Sequence, residues 1–199
     1  MRHLPNLLSL IRLGCVPYLV LLANQESEAL FFGLVVAAWI TDGLDGWLAR
    51  RFAWVSRLGA VLDSVADITL IVAILYGIDR FHPLVFLDHG ALLWAIVAVW
   101  SGVHLASLAR YGRTSSFHTR LAQAGILLFA AFVVVLFTTG FVPALYYFAG
   151  SVCLLAGLEN AAMVWALSEW QPDIPSLSGA LRHRAERRKR GLPPRAANE

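Results

Sequence analysis

Charge is what this 199-residue chain has least of: only 15% of its residues are Asp, Glu, Lys or Arg, where soluble domains carry about 25%. That shortage excludes an ordinary water-facing surface, and the 58% of hydrophobic residues and mean hydropathy of +0.65 point to a bilayer as the surrounding solvent. Cysteine is scarce as well. Cys15 and Cys153 both sit inside apolar stretches, so they give neither a disulfide framework nor a metal-ligand spacing. No internal repeat is visible, which counts against a transporter built from two pseudo-symmetric halves. A cleavable leader is not expected, because Arg12 interrupts the first apolar run and no small-x-small cleavage site follows. Arg12-Leu13-Gly14-Cys15 departs from a lipoprotein site for the same reason, since Arg12 stands where an aliphatic residue belongs.

What is there is apolar sequence in long runs. Six segments can be drawn, about Leu7–Ala23, Leu30–Ala49, Leu58–Gly77, Ala91–Leu108, Leu121–Thr139 and Val142–Leu167. Several approach the roughly 20 residues that a transmembrane helix needs. The expected fold is all-α, a polytopic membrane bundle of six transmembrane helices. Short links make consecutive helices antiparallel. Residues 1–170 form the membrane domain, and 171–199 form a basic tail that includes Arg182-His183-Arg184 and Arg187-Arg188-Lys189-Arg190.

Of the 16 Lys and Arg residues, all but Arg80 fall on one side of this layout. The opposite loops carry Glu26, Glu28, Asp79 and Asp88. The positive-inside bias then puts both termini in the cytoplasm, and the expected location is the bacterial inner membrane. The net charge of +3 does not imply a nucleic-acid partner, because the basic residues lie between apolar spans and in the tail rather than on a soluble face. Trp47, Trp54 and Trp170 read as anchors at the headgroup level.

Four carboxylates break the pattern. Asp42 and Asp45 are spaced i,i+3 in the second segment, and Asp63 and Asp67 are spaced i,i+4 in the third, so each pair shares one helical face. A carboxylate facing lipid at the bilayer centre costs about 2.5–3.5 kcal/mol on insertion scales. Four of them require a polar cavity, a cation, or both. Few basic residues stand at matching depth, so hard divalent cations such as Mg²⁺ or Mn²⁺ are the natural partners for an all-oxygen donor set. Four such side chains suit two ions, an arrangement that clamps in-line phosphoryl displacement. A structural ion-pair network and a proton or cation transporter also place acids inside a membrane. Gly46 and Ala49 on the Asp42/Asp45 side, and Gly59 one turn before Asp63, leave room for a ligand or for close helix contact. Arg50 is either a phosphate contact or a cytoplasmic anchor.

Read together, Asp42-Gly43-Leu44-Asp45-Gly46-Trp47-Leu48-Ala49-Arg50, eight residues, Gly59, three residues, Asp63, three residues and Asp67 resemble the signature of the CDP-alcohol phosphatidyltransferase family, D-x2-D-G-x2-A-R-x8-G-x3-D-x3-D. All eight fixed positions agree, with the correct gaps. The resemblance implies a six-helix fold, a homodimer and an active site open to the cytoplasm. It implies that Asp42, Asp45 and Asp63 are metal ligands and that Asp67 is both a ligand and the catalytic base. It also implies that Gly46, Ala49, Arg50 and Gly59 line the nucleotide site. The reaction it implies is transfer of a phosphatidyl group from CDP-diacylglycerol to an alcohol, with two divalent ions and release of CMP.

The acceptor is less legible. The start, Leu4-Pro5-Asn6-Leu7-Leu8-Ser9-Leu10-Ile11-Arg12, is similar to that of phosphatidylglycerophosphate and cardiolipin synthases, which implies that Asn6 and Arg12 help hold the nucleotide lipid. A helix cap is the plain alternative for Asn6, and snorkelling for Arg12. Asp63-Ser64-Val65-Ala66-Asp67-Ile68 departs from that branch, with Ser64 in place of Pro and Ile68 in place of Lys. Arg110, Arg113 and Arg120 cluster near the link between the fourth and fifth segments and suit a phosphorylated acceptor. Glycerol 3-phosphate is therefore the expected alcohol, ahead of phosphatidylglycerol, inositol phosphate and serine.

Overall fold

A computed structural model describes residues 4–52, 57–112, 119–167, 176–179 and 181, without the side chains of 4–6, 8, 45–52, 57, 58, 60 and 61. Among the described residues six long helices stand where the six apolar runs were drawn: α1 (Leu4–Asn24), α2 (Glu28–Phe52), α3 (Arg57–Phe81), α4 (Leu84–Tyr111), α5 (Arg120–Thr139) and α6 (Pro143–Ala166). The described residues contain no strand. Three of the helices, α4, α5 and α6, are long and apolar enough to cross a membrane, with 28, 20 and 24 residues. At 1.5 Å per residue even α5 reaches about 30 Å, the thickness of a hydrocarbon core. Their outward faces carry Leu87, Leu105, Ile126, Leu127 and Trp165, all well exposed. So much bare apolar surface is stable only against lipid or another apolar partner.

The helix ends follow local chemistry. After Asn24 the chain reverses through a Schellman motif. Glu26 N–H bonds Ala23 O at 3.3 Å and Ser27 N–H bonds Leu22 O at 3.0 Å, while Glu26 takes the left-handed conformation, φ 56°. α5 opens on Thr119, whose side chain accepts a bond from Ala122 N–H at 3.1 Å, and it closes on Gly140 at φ 99°. α6 begins with Pro143, whose missing N–H would have had no intrahelical partner there.

The chain divides into two compact units, Met1–Asp88 and His89–Glu199. In the first unit α1 packs along both α2 and α3, while α2 and α3 touch only sparingly. This differs from the sequence expectation of α2 and α3 as direct neighbours. Where they do meet, the fully buried Phe31 ring lies over Gly77, so closely that a Cβ there would collide with it. Phe31 also packs on Phe81, with ring centroids 5.4 Å apart. The contact sets the register. Eleven residues beyond Phe31 on α2 is Asp42, and eleven residues back from Gly77 on antiparallel α3 is Ala66. Asp42 therefore comes level with the turn that carries Asp63 and Asp67.

The second unit is held by small residues. Gly125 of α5 lies against Cys153 of α6, whose thiol donates to Gly125 O at 3.3 Å. On α6, Gly150 receives Leu92 and Gly157 receives Val99, a seven-residue step on both helices that marks α4 and α6 as parallel. Trp100 Nε1–H donates to Cys153 O at 3.2 Å. At the C-terminal end of α6, the Tyr111 hydroxyl lies 2.6 Å from Val164 O and 2.8 Å from Leu167 O, and Leu177 packs on the same cluster.

Candidate metal centre

The register set by Phe31 and Gly77 brings carboxylates of two helices to one place. The carboxylates of Asp42, Asp63 and Asp67 each offer an oxygen, and these oxygens all lie within 4.8 Å of one another. Like charges at that separation repel by on the order of 3 kcal/mol per pair at an effective dielectric near 20. A cation must offset them, and α1 supplies one. Arg12 Nη1 stands 2.7 Å from Asp42 Oδ1, 2.9 Å from Asp67 Oδ1 and 3.2 Å from Asp63 Oδ1. The three acids are half exposed, at 45–48%, whereas the Arg12 side chain is wholly buried at 0%. The guanidinium thus comes from the protein side and leaves the acids open on their other side.

Arg12, which the resemblance assigns to the nucleotide lipid, stands at the centre of the acid cluster, a pairing the sequence reading did not include. The signal was present in the sequence, as a lone cation inside an apolar run, but its partners lie 51 and 55 residues away on α3 and could not be paired by spacing.

The donor set fits a divalent ion. All three side chains offer hard oxygens, which suit Mg²⁺ or Mn²⁺. Oxygens on opposite sides of an ion at about 2.1 Å lie roughly 4.2 Å apart, close to the spread of these three. Three carboxylates facing one guanidinium leave a surplus of two negative charges, which a divalent ion offsets.

The remaining expected site residues are distributed as follows. Gly59 lies half-buried on α3, one turn before Asp63. Asp45, Gly46, Ala49 and Arg50 continue α2 past Asp42, with side chains outside the described residues. Asn6 is in the first turn of α1 rather than at the capping position before it, and its side chain is likewise outside the description. Arg110 ends α4, donates to Leu167 O at 3.2 Å, and lies over the rings of Tyr111 and Trp165 at 5.7 and 5.8 Å. Arg120 opens α5 and is exposed, and Arg113 is outside the described residues.

The family profile described as CDP-alcohol phosphatidyltransferase matches residues 2–168. The chain belongs to the CDP-alcohol phosphatidyltransferase family. Within that phosphatidyltransferase family, similar proteins carry different acceptors in their names. CDP-diacylglycerol–inositol 3-phosphatidyltransferase 1 of Arabidopsis thaliana is 35% identical over 111 residues, 54% of this chain and 47% of that protein. CDP-diacylglycerol–glycerol-3-phosphate 3-phosphatidyltransferase of Pectobacterium atrosepticum is 37% identical over 84 residues, 40% of this chain and 46% of that protein. Cardiolipin synthase (CMP-forming) of Rattus norvegicus is 45% identical over 74 residues, 37% of this chain and 24% of that protein. The matched stretches thus span less than half of each of these curated relatives. No solved structure gives a significant match.

Proposed function

We propose that this chain transfers a phosphatidyl group from CDP-diacylglycerol to an alcohol and releases CMP, as a step of phospholipid biosynthesis. The observation that carries the reading is the convergence of Asp42, Asp63 and Asp67 from two helices, inside a motif that matches the family signature at every fixed position. Asp42, Asp45, Asp63 and Asp67 hold the divalent ions, Mg²⁺ or Mn²⁺. When bound, these ions neutralise the pyrophosphate and the charge that develops on the departing CMP. Asp67 accepts the proton of the acceptor hydroxyl, whose oxygen attacks the phosphorus bearing the lipid. Gly46, Ala49 and Gly59 leave space for the nucleotide, Arg50 meets a phosphate, and Asn6 and Arg12 help hold the nucleotide lipid.

Glycerol 3-phosphate is the proposed acceptor, and Arg110, Arg113 and Arg120 are the cations for its phosphate. Arg120 supports this reading because a cation in the first turn of α5 opposes the helix dipole, so helix stability does not call for it. The bundle is proposed to span the membrane six times, as a homodimer, with both termini and the site on the cytoplasmic side.

The test is CMP release by the purified chain with CDP-diacylglycerol and Mg²⁺ or Mn²⁺, against glycerol 3-phosphate, phosphatidylglycerol, inositol phosphate and serine. Metal-dependent release with glycerol 3-phosphate is expected. Asp67→Asn should lower it by about 10²–10⁴-fold while the protein stays helical. Near-normal CMP release by that variant would sink the role of Asp67, and release with a different acceptor alone would reassign the alcohol.

A further inference from the structure

Three acids and one guanidinium share a single point in the first unit, and the guanidinium already fills part of what a metal ion would supply. Nη1 lies within 2.7–3.2 Å of an oxygen from each acid, so those oxygens direct their lone pairs at a nitrogen. A divalent ion approaching from the open side meets carboxylates whose charge is partly spent, and it meets a positive charge a few ångströms behind them. Arg12 has little freedom to retreat, because its side chain is wholly buried.

We propose that Arg12 is a built-in counter-cation that keeps the acid cluster assembled before metal arrives and, by the same charge, weakens metal binding to the free protein. This rests on the metal reading of the acids under Proposed function. The consequence is an order of loading. With the guanidinium resident among them, the acids attract divalent ions less strongly than they would alone. The pyrophosphate of a CDP-linked lipid brings the further negative charge that makes their binding strong. Metal and nucleotide therefore bind with positive coupling, and Arg12 sets its size. In this role Arg12 is a positioning residue, acting on the ions through the carboxylates.

The experiment is Mn²⁺ binding to the purified full chain in detergent, read by the electron paramagnetic resonance of free Mn²⁺, with and without CDP as the nucleotide probe. Arg12→Met is expected to bind Mn²⁺ at least tenfold more tightly than wild type without CDP. Arg12→Lys, which keeps the charge, is expected to stay within about threefold of wild type. Added CDP is expected to tighten Mn²⁺ binding more in wild type than in Arg12→Met. Folded Arg12→Met that binds Mn²⁺ as wild type does, or more weakly, overturns the proposal. Wild type and Asp63→Asn that bind Mn²⁺ equally weakly even with CDP present, with both proteins helical, would instead remove the metal reading itself and this inference with it. Should Arg12→Met not fold, wild type serves alone. Mg²⁺ titration is then expected to move the Arg12 side-chain nitrogen resonance of ¹⁵N-arginine-labelled protein, and a resonance unmoved at saturating Mg²⁺ overturns the proposal.

Discussion

Arg12 and the three acids it meets show how far a single position carries the chemistry. The acids were legible in the sequence because carboxylates in apolar segments are costly, and their i,i+3 and i,i+4 spacing put each pair on one face. The meeting of Asp42 with Asp63 and Asp67 agrees with the expectation that two antiparallel helices with a short link bring the pairs level, while the Asp45 side chain lies outside the described residues. The guanidinium was visible but its partner was not, because pairing across 51 and 55 residues depends on which helices pack. Arg110 illustrates the reverse. The sequence offered it to an acceptor phosphate, and the structure gives it the carbonyl of Leu167 and two aromatic faces. Arg120 is exposed in the first turn of α5 and is the sharper probe of acceptor binding. Arg120→Ala is expected to raise KM for glycerol 3-phosphate by about 10–100-fold, the worth of a charged hydrogen bond, with kcat changed far less. Initial rates at varied glycerol 3-phosphate check this, and an unchanged KM would return Arg120 to the topological bias of the basic loops.

At the scale of elements, the apolar runs located all six helices, with the largest difference at α4, which starts at Leu84 rather than near Ala91. The apolar pattern hid those early turns because Asp88 and His89 interrupt it, while Pro83 immediately before gives the helix a natural start. Packing between helices was far less legible, because every face is apolar and the periodicity that marks a core face in water is lost. Glycine decides it instead. Gly77 is where α2 and α3 touch, and its environment differs sharply from that of Gly14 in α1, where an added Cβ meets nothing within 4 Å. Gly77→Ala is expected to destabilise the protein by about 1–3 kcal/mol through the Phe31 ring. Gly14→Ala is expected to stabilise it by about 0.5–1 kcal/mol by reducing backbone freedom. Thermal unfolding of the two variants in one detergent separates them, and equal shifts would contradict the register that places Asp42 beside Asp63 and Asp67.

At the scale of the whole molecule, three helices meet the length and composition of a membrane span on their own, and the other three carry the charged site. That division is what a membrane enzyme requires. Helices that hold a polar site cannot be the most apolar ones, and in the proposed six-span arrangement they would depend on their neighbours to stay in the bilayer. The proposed six-span arrangement is tested by a single cysteine at Ser178, beyond α6, in a chain with Cys15 and Cys153 replaced by alanine. In sealed cells a membrane-impermeant maleimide is expected to leave it unlabelled until the membrane is opened. Labelling in intact cells would reverse the orientation.

The buried guanidinium of α1 also has a history within each newly made chain. Arg12 leaves the ribosome 51 and 55 residues ahead of Asp63 and Asp67, so the first helix is complete while two of its three acids are still unmade. If α1 spans the membrane as proposed, its charge enters the bilayer before the acids of α3 exist to meet it. A chain cut short before α3 can pair this arginine with Asp42 of α2 but lacks the two acids of α3 that complete the cluster.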